Sequence, residues 1–161
     1  MEGREFNNVF GLEDGPQFLF LTNILFATSS SKHLAPLLQT VVQADGAHSS
    51  FGKYMLYLAY ATTANGNISP LVFGLLFGNE DTKNWSKFWS YVKKIYPCID
   101  LPEVTILKDQ DKGSIVAVEK EVKQAAQFIC SFHCHQNIIK TLGSGKGSTP
   151  LTALWMYNLL C

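Results

Sequence analysis

The chain has 161 residues, 47% of them apolar, which is the length of one domain and enough for one core. Charged residues make up only 16%, below the usual quarter, so part of the surface is expected to meet another segment or a partner. Thirteen basic and thirteen acidic residues cancel. That balance excludes a bulk positive field for nucleic acid, and DNA contact would need a local patch or a separate module. The longest apolar stretch, Phe18 to Ala27, is interrupted by Thr22 and Asn23 and is far short of the roughly 20 residues of a membrane span. The amino-terminal Met1-Glu2-Gly3-Arg4-Glu5 carries acids and no signal-peptide pattern. Four cysteines in a chain of this length do not make a disulfide scaffold, so a reducing intracellular compartment is expected.

Residues 1–15 are polar with scattered Phe and close on a turn signal, Glu13-Asp14-Gly15-Pro16. Gln17–Thr28 is apolar, and its pattern does not separate helix from strand. Ser29-Ser30-Ser31-Lys32 reads as a loop. Leu38–Asp45 reads as a buried strand and Lys53–Thr63 as a second, dense in Tyr, Leu and Ala. Asn65-Gly66 is a hairpin turn. It leads into a third strand, Ile68–Phe77, with Pro70 near its start, where a missing N–H is tolerated. Gly78-Asn79-Glu80-Asp81-Thr82 opens a helix to about Tyr96. Its Trp85, Phe88, Trp89, Val92 and Ile95 form one apolar face, and Pro97 stops it. Val104–Asp109 is a fourth strand, Gly113–Val122 a short helix, Gln127–Phe132 a fifth strand and His133–Leu142 a helix. Residues 143–148 read as a flexible loop and Leu151–Cys161 as helical. Strands joined by short turns form an antiparallel meander, and strands separated by helices run parallel. The order is that of an α/β, ribonuclease-H-like fold: a mixed five-stranded sheet, three antiparallel strands plus two parallel ones, flanked by helices. In that topology the first and fourth strands are neighbours.

This order places Asp45 and Asp109 at adjacent carboxyl ends of parallel strands, where open α/β sheets bind ligands. Two carboxylates there suit a hard divalent cation. Each has a structural alternative: Asp45 as a turn residue before Gly46, and Asp109 as a helix cap. Asp111 is better placed for that cap. A third carboxylate is normally needed, and from Val122 to Cys161 there is no Asp or Glu. Cys130-Ser131-Phe132-His133-Cys134-His135 offers zinc-type ligands. A zinc site would have to recruit Cys98 and His48 through the fold. Otherwise Cys130 is a core residue, and His133, at the strand end near the aspartates, binds phosphate, orients a metal-bound water or caps a helix. His48 either lines the same cleft or sits on a solvated loop. Glu80 reads as structural, an acid in the first turn of a helix. Trp85 and Trp89 read as core. Gly143-Ser144-Gly145-Lys146-Gly147-Ser148-Thr149 is not a phosphate-binding loop, because Lys146 is followed by Gly147 and the segment follows a helix.

Several landmarks, in order, resemble the Mutator-like element (MULE) transposases. They are Arg4-Glu5-Phe6-Asn7-Asn8-Val9-Phe10, Val42-Gln43-Ala44-Asp45-Gly46-Ala47-His48, Gly52–Leu56, Asn65–Phe73, Asn79-Glu80 with Trp85 and Phe88, Ile106–Gly113, and Cys130-Ser131-Phe132-His133 with Asn137. The resemblance covers roughly residues 5–142. It implies an upstream segment packing on the core (1–36), a ribonuclease-H-like transposase core (37–142), and a linker with the start of a helical region (143–161). It also implies that Asp45 and Asp109 are the first two acids of an Asp-Asp-Glu site holding Mg2+ or Mn2+, two ions in the complete enzyme, with His48, His133 and Cys130 in support. The partners implied are DNA, as transposon ends and target, and further copies of the chain. The location implied is nuclear in a eukaryote and cytoplasmic otherwise. The family's third acid lies downstream, so the chain reads as a fragment of the catalytic core. The alternative is a domesticated domain that binds DNA or protein without cleaving.

Overall fold

The computed structural model describes residues 22–27, 38–49 and 52–143. The expectations for the amino-terminal landmark, the loop after Gly143 and the helix at Leu151–Cys161 fall outside these residues. A six-stranded mixed sheet is built from β1 (Asn23–Phe26), β2 (Leu38–His48), β3 (Tyr54–Thr63), β4 (Ile68–Phe77), β5 (Thr105–Lys108) and β6 (Ala126–Ile129), in the order β1-β4-β3-β2-β5-β6. Helices α1 (Thr82–Ile95), α2 (Lys112–Glu121) and α3 (Ser131–Gly143), with a 3-10 turn at Pro97–Asp100, flank it. The meander pairs antiparallel, and β2–β5 and β5–β6 pair parallel.

The sheet has one strand more than expected. Asn23–Phe26, within the stretch whose pattern was ambiguous, pairs antiparallel with the outer edge of β4. A short apolar run carries no period to reveal this; the pairing edge of β4 decides it. The last strand is shorter and earlier than Gln127–Phe132, because α3 already begins at Ser131. The hairpin at Asn65-Gly66 is present, with Gly66 at φ +80° and its N–H donating to the Thr63 carbonyl at 2.9 Å. Pro70 sits where the β3–β4 register shifts, between Ala59 and Tyr60, so its missing N–H falls at an irregularity.

The core lies between one face of the sheet and α1 and α2. From β2 to β4 it takes Val42, Ala44, Met55, Tyr57, Ala59, Val72 and Leu76, and Ile106 from β5. Trp85, Phe88, Trp89 and Val92 of α1 meet them with no exposed surface. Tyr57 stands edge-on to Trp85 at 4.6 Å, and Phe88 meets Tyr57 at 5.5 Å and Trp85 and Trp89 at 6.0 Å each. The expected apolar face of α1 is therefore core, with Ile95 at its margin. Asp81 caps α1 by accepting from the Asn84 N–H at 2.8 Å, and the helix ends at Ile95, before Pro97. On the opposite face of the sheet Ile24, Phe26, Leu56 and Phe77 are exposed.

One ion pair ties the far ends of the helices together. Asp100 Oδ2 accepts from Lys93 Nζ at 2.6 Å, Asp100 Oδ1 accepts from the Gln124 N–H at 2.8 Å, and Lys93 also donates to the Glu121 carbonyl at 3.1 Å. Burial alone would raise the Asp100 carboxyl. The Gln124 N–H and the Lys93 ammonium outweigh it and hold the carboxyl below its ordinary value.

Phe88→Ala is expected to cost about 3–5 kcal/mol in urea unfolding, because the hole lies among rings that cannot collapse into it. Asp100→Asn is expected to cost about 1–2 kcal/mol at neutral pH, a range kept low because Lys93 is part-exposed. A depressed carboxyl stabilises above its unfolded pKa, about 4, and the gain is lost as pH falls through the lower folded value. The gap between parent and Asp100→Asn stability curves should therefore close below about pH 4.

Candidate active site

Parallel pairing brings the two aspartates to one level. Val41, Val42 and Gln43 pair with Thr105, Ile106 and Leu107 at a constant offset of 64 residues. Asp45 and Asp109 have the same offset and lie two residues beyond the last pair of the ladder. Side chains alternate along a strand. A Cβ on Gly46 would meet Glu80 Oε1 at 2.7 Å and Trp85 at 3.2 Å, so Val42, Ala44 and Gly46 face α1. Gln43 and Asp45 face the other way, as do Thr105 and Leu107 of β5.

The position of Asp45 within its strand differs from expectation. β2 does not end there but continues to His48, because β3 supplies partners beyond the last residue of β5, pairing Asp45 with Leu58 and His48 with Met55. Asp45 still lies past the end of the parallel ladder, and its side chain is half-exposed. Asp109 directly follows β5. Each carboxylate has one oxygen engaged by the next N–H: Gly46 donates to Asp45 Oδ1 at 2.9 Å, and Gln110 donates to Asp109 Oδ1. Asp111, not Asp109, caps α2, accepting from the N–H groups of Gly113 and Ser114.

The third parallel strand adds the Cys-His segment. The Cys130 N–H donates to the Lys108 carbonyl at 2.8 Å, extending the β5–β6 ladder level with Asp109. Cys130 is thus a half-buried turn residue rather than a core strand residue, and Cys134, one helical turn on, takes the buried place. His133 lies in the first turn of α3, not at a strand end. Its Nε2 stands 3.6 Å from Asp45 Oδ1, a charge pair when the imidazole is protonated. Its Nδ1 is buried with no hydrogen-bond partner among the described residues. Asn137, a turn further, donates to Gln110 Oε1 at 3.0 Å and pins the loop that follows Asp109. Alternation puts His48 on the α1 side of β2, away from Asp45 and in electrostatic reach of Glu80.

Two residues near the pair carried no clear signal in the sequence. Tyr60 donates to Gln43 Oε1 at 3.1 Å on the Asp45 face, and burial, then Asp45 and Cys130, push its phenol up. Glu80 was expected in the first turn of α1, but the helix begins at Thr82, and Asp81 is its cap. Glu80 instead precedes the cap, half-buried over Gly46, accepting from Trp85 Nε1 at 3.3 Å. Burial first, then Asp111, pushes its carboxyl up. The Trp85 bond opposes this, Asp109 adds to it, and His48 opposes it. A glycine beside the first aspartate, leaving room for a neighbouring acid, is the one sequence signal that pointed to it.

Cys98 is exposed in the 3-10 turn, and among the described residues no three His, Cys, Asp or Glu side chains gather closely enough to hold a metal ion. Asp45 and Asp109 alone offer two oxygen ligands. A cation shared by the two would meet carboxylate oxygens alone, the donor type of magnesium rather than of zinc.

Residues 41–137 match the MULE transposase domain, a span that holds both aspartates, α1, α2 and the Cys-His segment through Asn137. The chain belongs to the MULE transposase domain family. No curated protein matches it.

The helix starts around Glu80 are packed without slack. A Cβ on Gly113 would fall 2.8 Å from the Thr82 nitrogen and 2.9 Å from the Asp81 carbonyl carbon, both backbone. Gly113→Ala is expected to push α2 off the start of α1 at a cost of about 1–3 kcal/mol in urea unfolding, with an altered Trp85 fluorescence.

Proposed function

We propose that this chain carries the catalytic core of a MULE-type DNA transposase on a ribonuclease-H-like fold, with Asp45 and Asp109 as two ligands of a Mg2+ or Mn2+ site. The single observation that carries the reading is the 64-residue register shared by the β2–β5 ladder and by the two aspartates. The strand order supports the fold assignment. Strands β2, β3 and β4 are the antiparallel meander, β2 and β5 are the neighbouring first and fourth strands, and β1 is an added edge. Family membership supports the activity.

The reaction is phosphodiester transfer. A water oxygen attacks phosphorus at the transposon end and releases a 3′ hydroxyl. That hydroxyl then attacks a target phosphodiester and displaces the target's own 3′ oxygen. Bound magnesium would supply charge neutralisation at the phosphate and acidify the attacking oxygen. The chain's own residues supply position. Asp45 and Asp109 would present oxygens from neighbouring strands, and each accepts from the N–H of the residue that follows it. The Asn137–Gln110 bond fixes the Asp109 loop. His133, beside Asp45, is placed to donate to a phosphate oxygen or to orient a water.

Asp45→Asn and Asp109→Asn are each expected to weaken Mn2+ binding, measured by calorimetric titration, by at least about tenfold while leaving the thermal midpoint within a few degrees. Unchanged Mn2+ affinity in both variants would refute the site. DNA retention that does not respond to Mn2+ would point instead to the domesticated, non-cleaving role.

A further inference from the structure

We propose that residues 151–161 dock as a helix on the open face of the sheet, over β3, β4 and β1. The inference is independent of the cation site and concerns the apolar surface that begins beside Asp45.

The surface is a plate of paired side chains, because residues directly opposite one another share a face. Asp45 pairs with Leu58, Leu58 with Phe73 and Phe73 with Phe26. One row therefore runs from the first aspartate to the outer edge strand, apolar after its first member. Leu56, Leu75 and Ile24 form the next row. Phe26 stacks on Phe73 at 5.1 Å, so the outer end of the first row is one continuous ring surface. Ile24 is 39%, Leu56 44% and Phe26 51% exposed, so no described element covers the plate. Contiguous apolar surface of this kind marks a place where something binds. No Lys or Arg stands on β1, β3 or β4. A nucleic-acid strand laid on the plate would find no cation for its phosphates and would meet Asp45 at one end. The plate fits an uncharged, apolar protein segment.

Residues 151–161 have that chemistry. Nine of the eleven are apolar and none is charged, whereas residues 1–21 carry Glu2, Arg4, Glu5, Glu13 and Asp14. Thr149-Pro150 ahead of the segment is a helix-start pair. Ala153, Met156, Tyr157 and Leu160 recur at three- and four-residue spacing, with Thr152 and Asn158 off that stripe. A helix of eleven residues is about 16 Å long, and the three interstrand steps of one row span about 14 Å, so such a helix covers a row. The chain also leaves the described fold on the correct side. His133, in the first turn of α3, stands 3.6 Å from Asp45, so α3 starts on the face of the plate, at the end of its row. The 13 residues of α3 are about 20 Å long, and residues 144–150 reach about 23 Å when extended. Residue 151 can therefore return to the row whichever way α3 points. Tethering gives the segment an effective concentration near millimolar, which a free second copy does not reach in dilute solution.

The test uses the 161-residue chain with its methionine methyl groups labelled for NMR; there are three, Met1, Met55 and Met156. The Met156 methyl is expected to show Overhauser contacts to the rings of Phe26 and Phe73 or to the Leu56 methyls, in a particle of one chain's mass by light scattering. The amides of residues 153–160 are expected to exchange at least about tenfold more slowly than in an unfolded chain. Leu56→Asp puts a charge into the plate at an exposed position. It should abolish the contacts and the protection while the slow amides of β2–β5 stay slow. If Leu56→Asp does not fold, Met156→Asp removes the same protection from the segment's side. A Met156 methyl with no contact to the plate, or unprotected 153–160 amides in the parent, would overturn the inference. Contacts found only at twice the chain's mass would give the plate to a second copy, and contacts from Phe18 or Phe20 in place of Met156 would give it to the upstream segment; either result overturns it as well.

Discussion

Three residue pairs, Val41–Gln43 against Thr105–Leu107, determine where the acids of this molecule lie. A parallel ladder cannot be closed by a tight turn; it needs a covering helix and a hydrophobic filling on the crossover side. Here α1 and α2 cover it, and the filling is the Tyr57–Trp85–Phe88–Trp89 cluster with Val42 and Ile106. A slip of one residue along β5 would send Asp109 to the helix face and Lys108 to the face of Asp45. Burial of Ile106 forbids that slip, since the same slip would expose it. Apolar packing on one face therefore sets which side chains stand on the other.

The loops around the acids are stiffened by side-chain hydrogen bonds to backbone and to one another. Asn84 folds the Phe77–Asn79 segment onto the start of α1, Asp111 closes the start of α2, and Asn137 reaches back from α3 to Gln110. Gly113 lets the two helix starts touch through backbone. Each device acts within one or two residues of an acid: Glu80, Asp109 or both. Carboxylates on long loops would spread apart by mutual repulsion, and short braced loops prevent it.

Much of this was legible in the sequence, for identifiable reasons. The three-and-four spacing of Trp85, Phe88, Trp89 and Val92 is a strong period, and α1 follows it. Asn65-Gly66 specifies its turn, and Asp111 announces itself as a cap by its place two residues before Gly113. That the strands leading to Asp45 and Asp109 are parallel neighbours was legible, because strand order alone implies it. The failures were one edge strand and the ends of elements. Whether β2 stops at Asp45 or runs to His48 depends on what β3 offers across the sheet, which no local pattern of β2 contains. Whether Cys130–Phe132 is strand or helix depends on where β5 stops pairing. Four residues at Asn23–Phe26 become strand only because the edge of β4 is open to them. Glu80 stands two residues before the first helical residue, outside the first turn, and that shift separates a dipole partner from a side chain lying over Gly46.

The charge balance bears on how such a domain meets DNA. Equal numbers of acids and bases leave it no net charge to attract a polyanion at long range, and on the proposed function the scissile phosphate would have to approach acids. Half-exposed Asp45, Asp109 and the nearby Glu80 and Asp111 would repel that phosphate. On the proposed function the repulsion is removed by the same divalent cations that the chemistry needs, each adding two positive charges where the acids converge. Cation loading and phosphate binding are then linked by one local charge, and each must favour the other to the same degree. Neutral overall composition is consistent with this arrangement: a domain that carried its own positive field would hold DNA whether or not its site was loaded, and one without it would bind the reacting phosphate only with the cations in place.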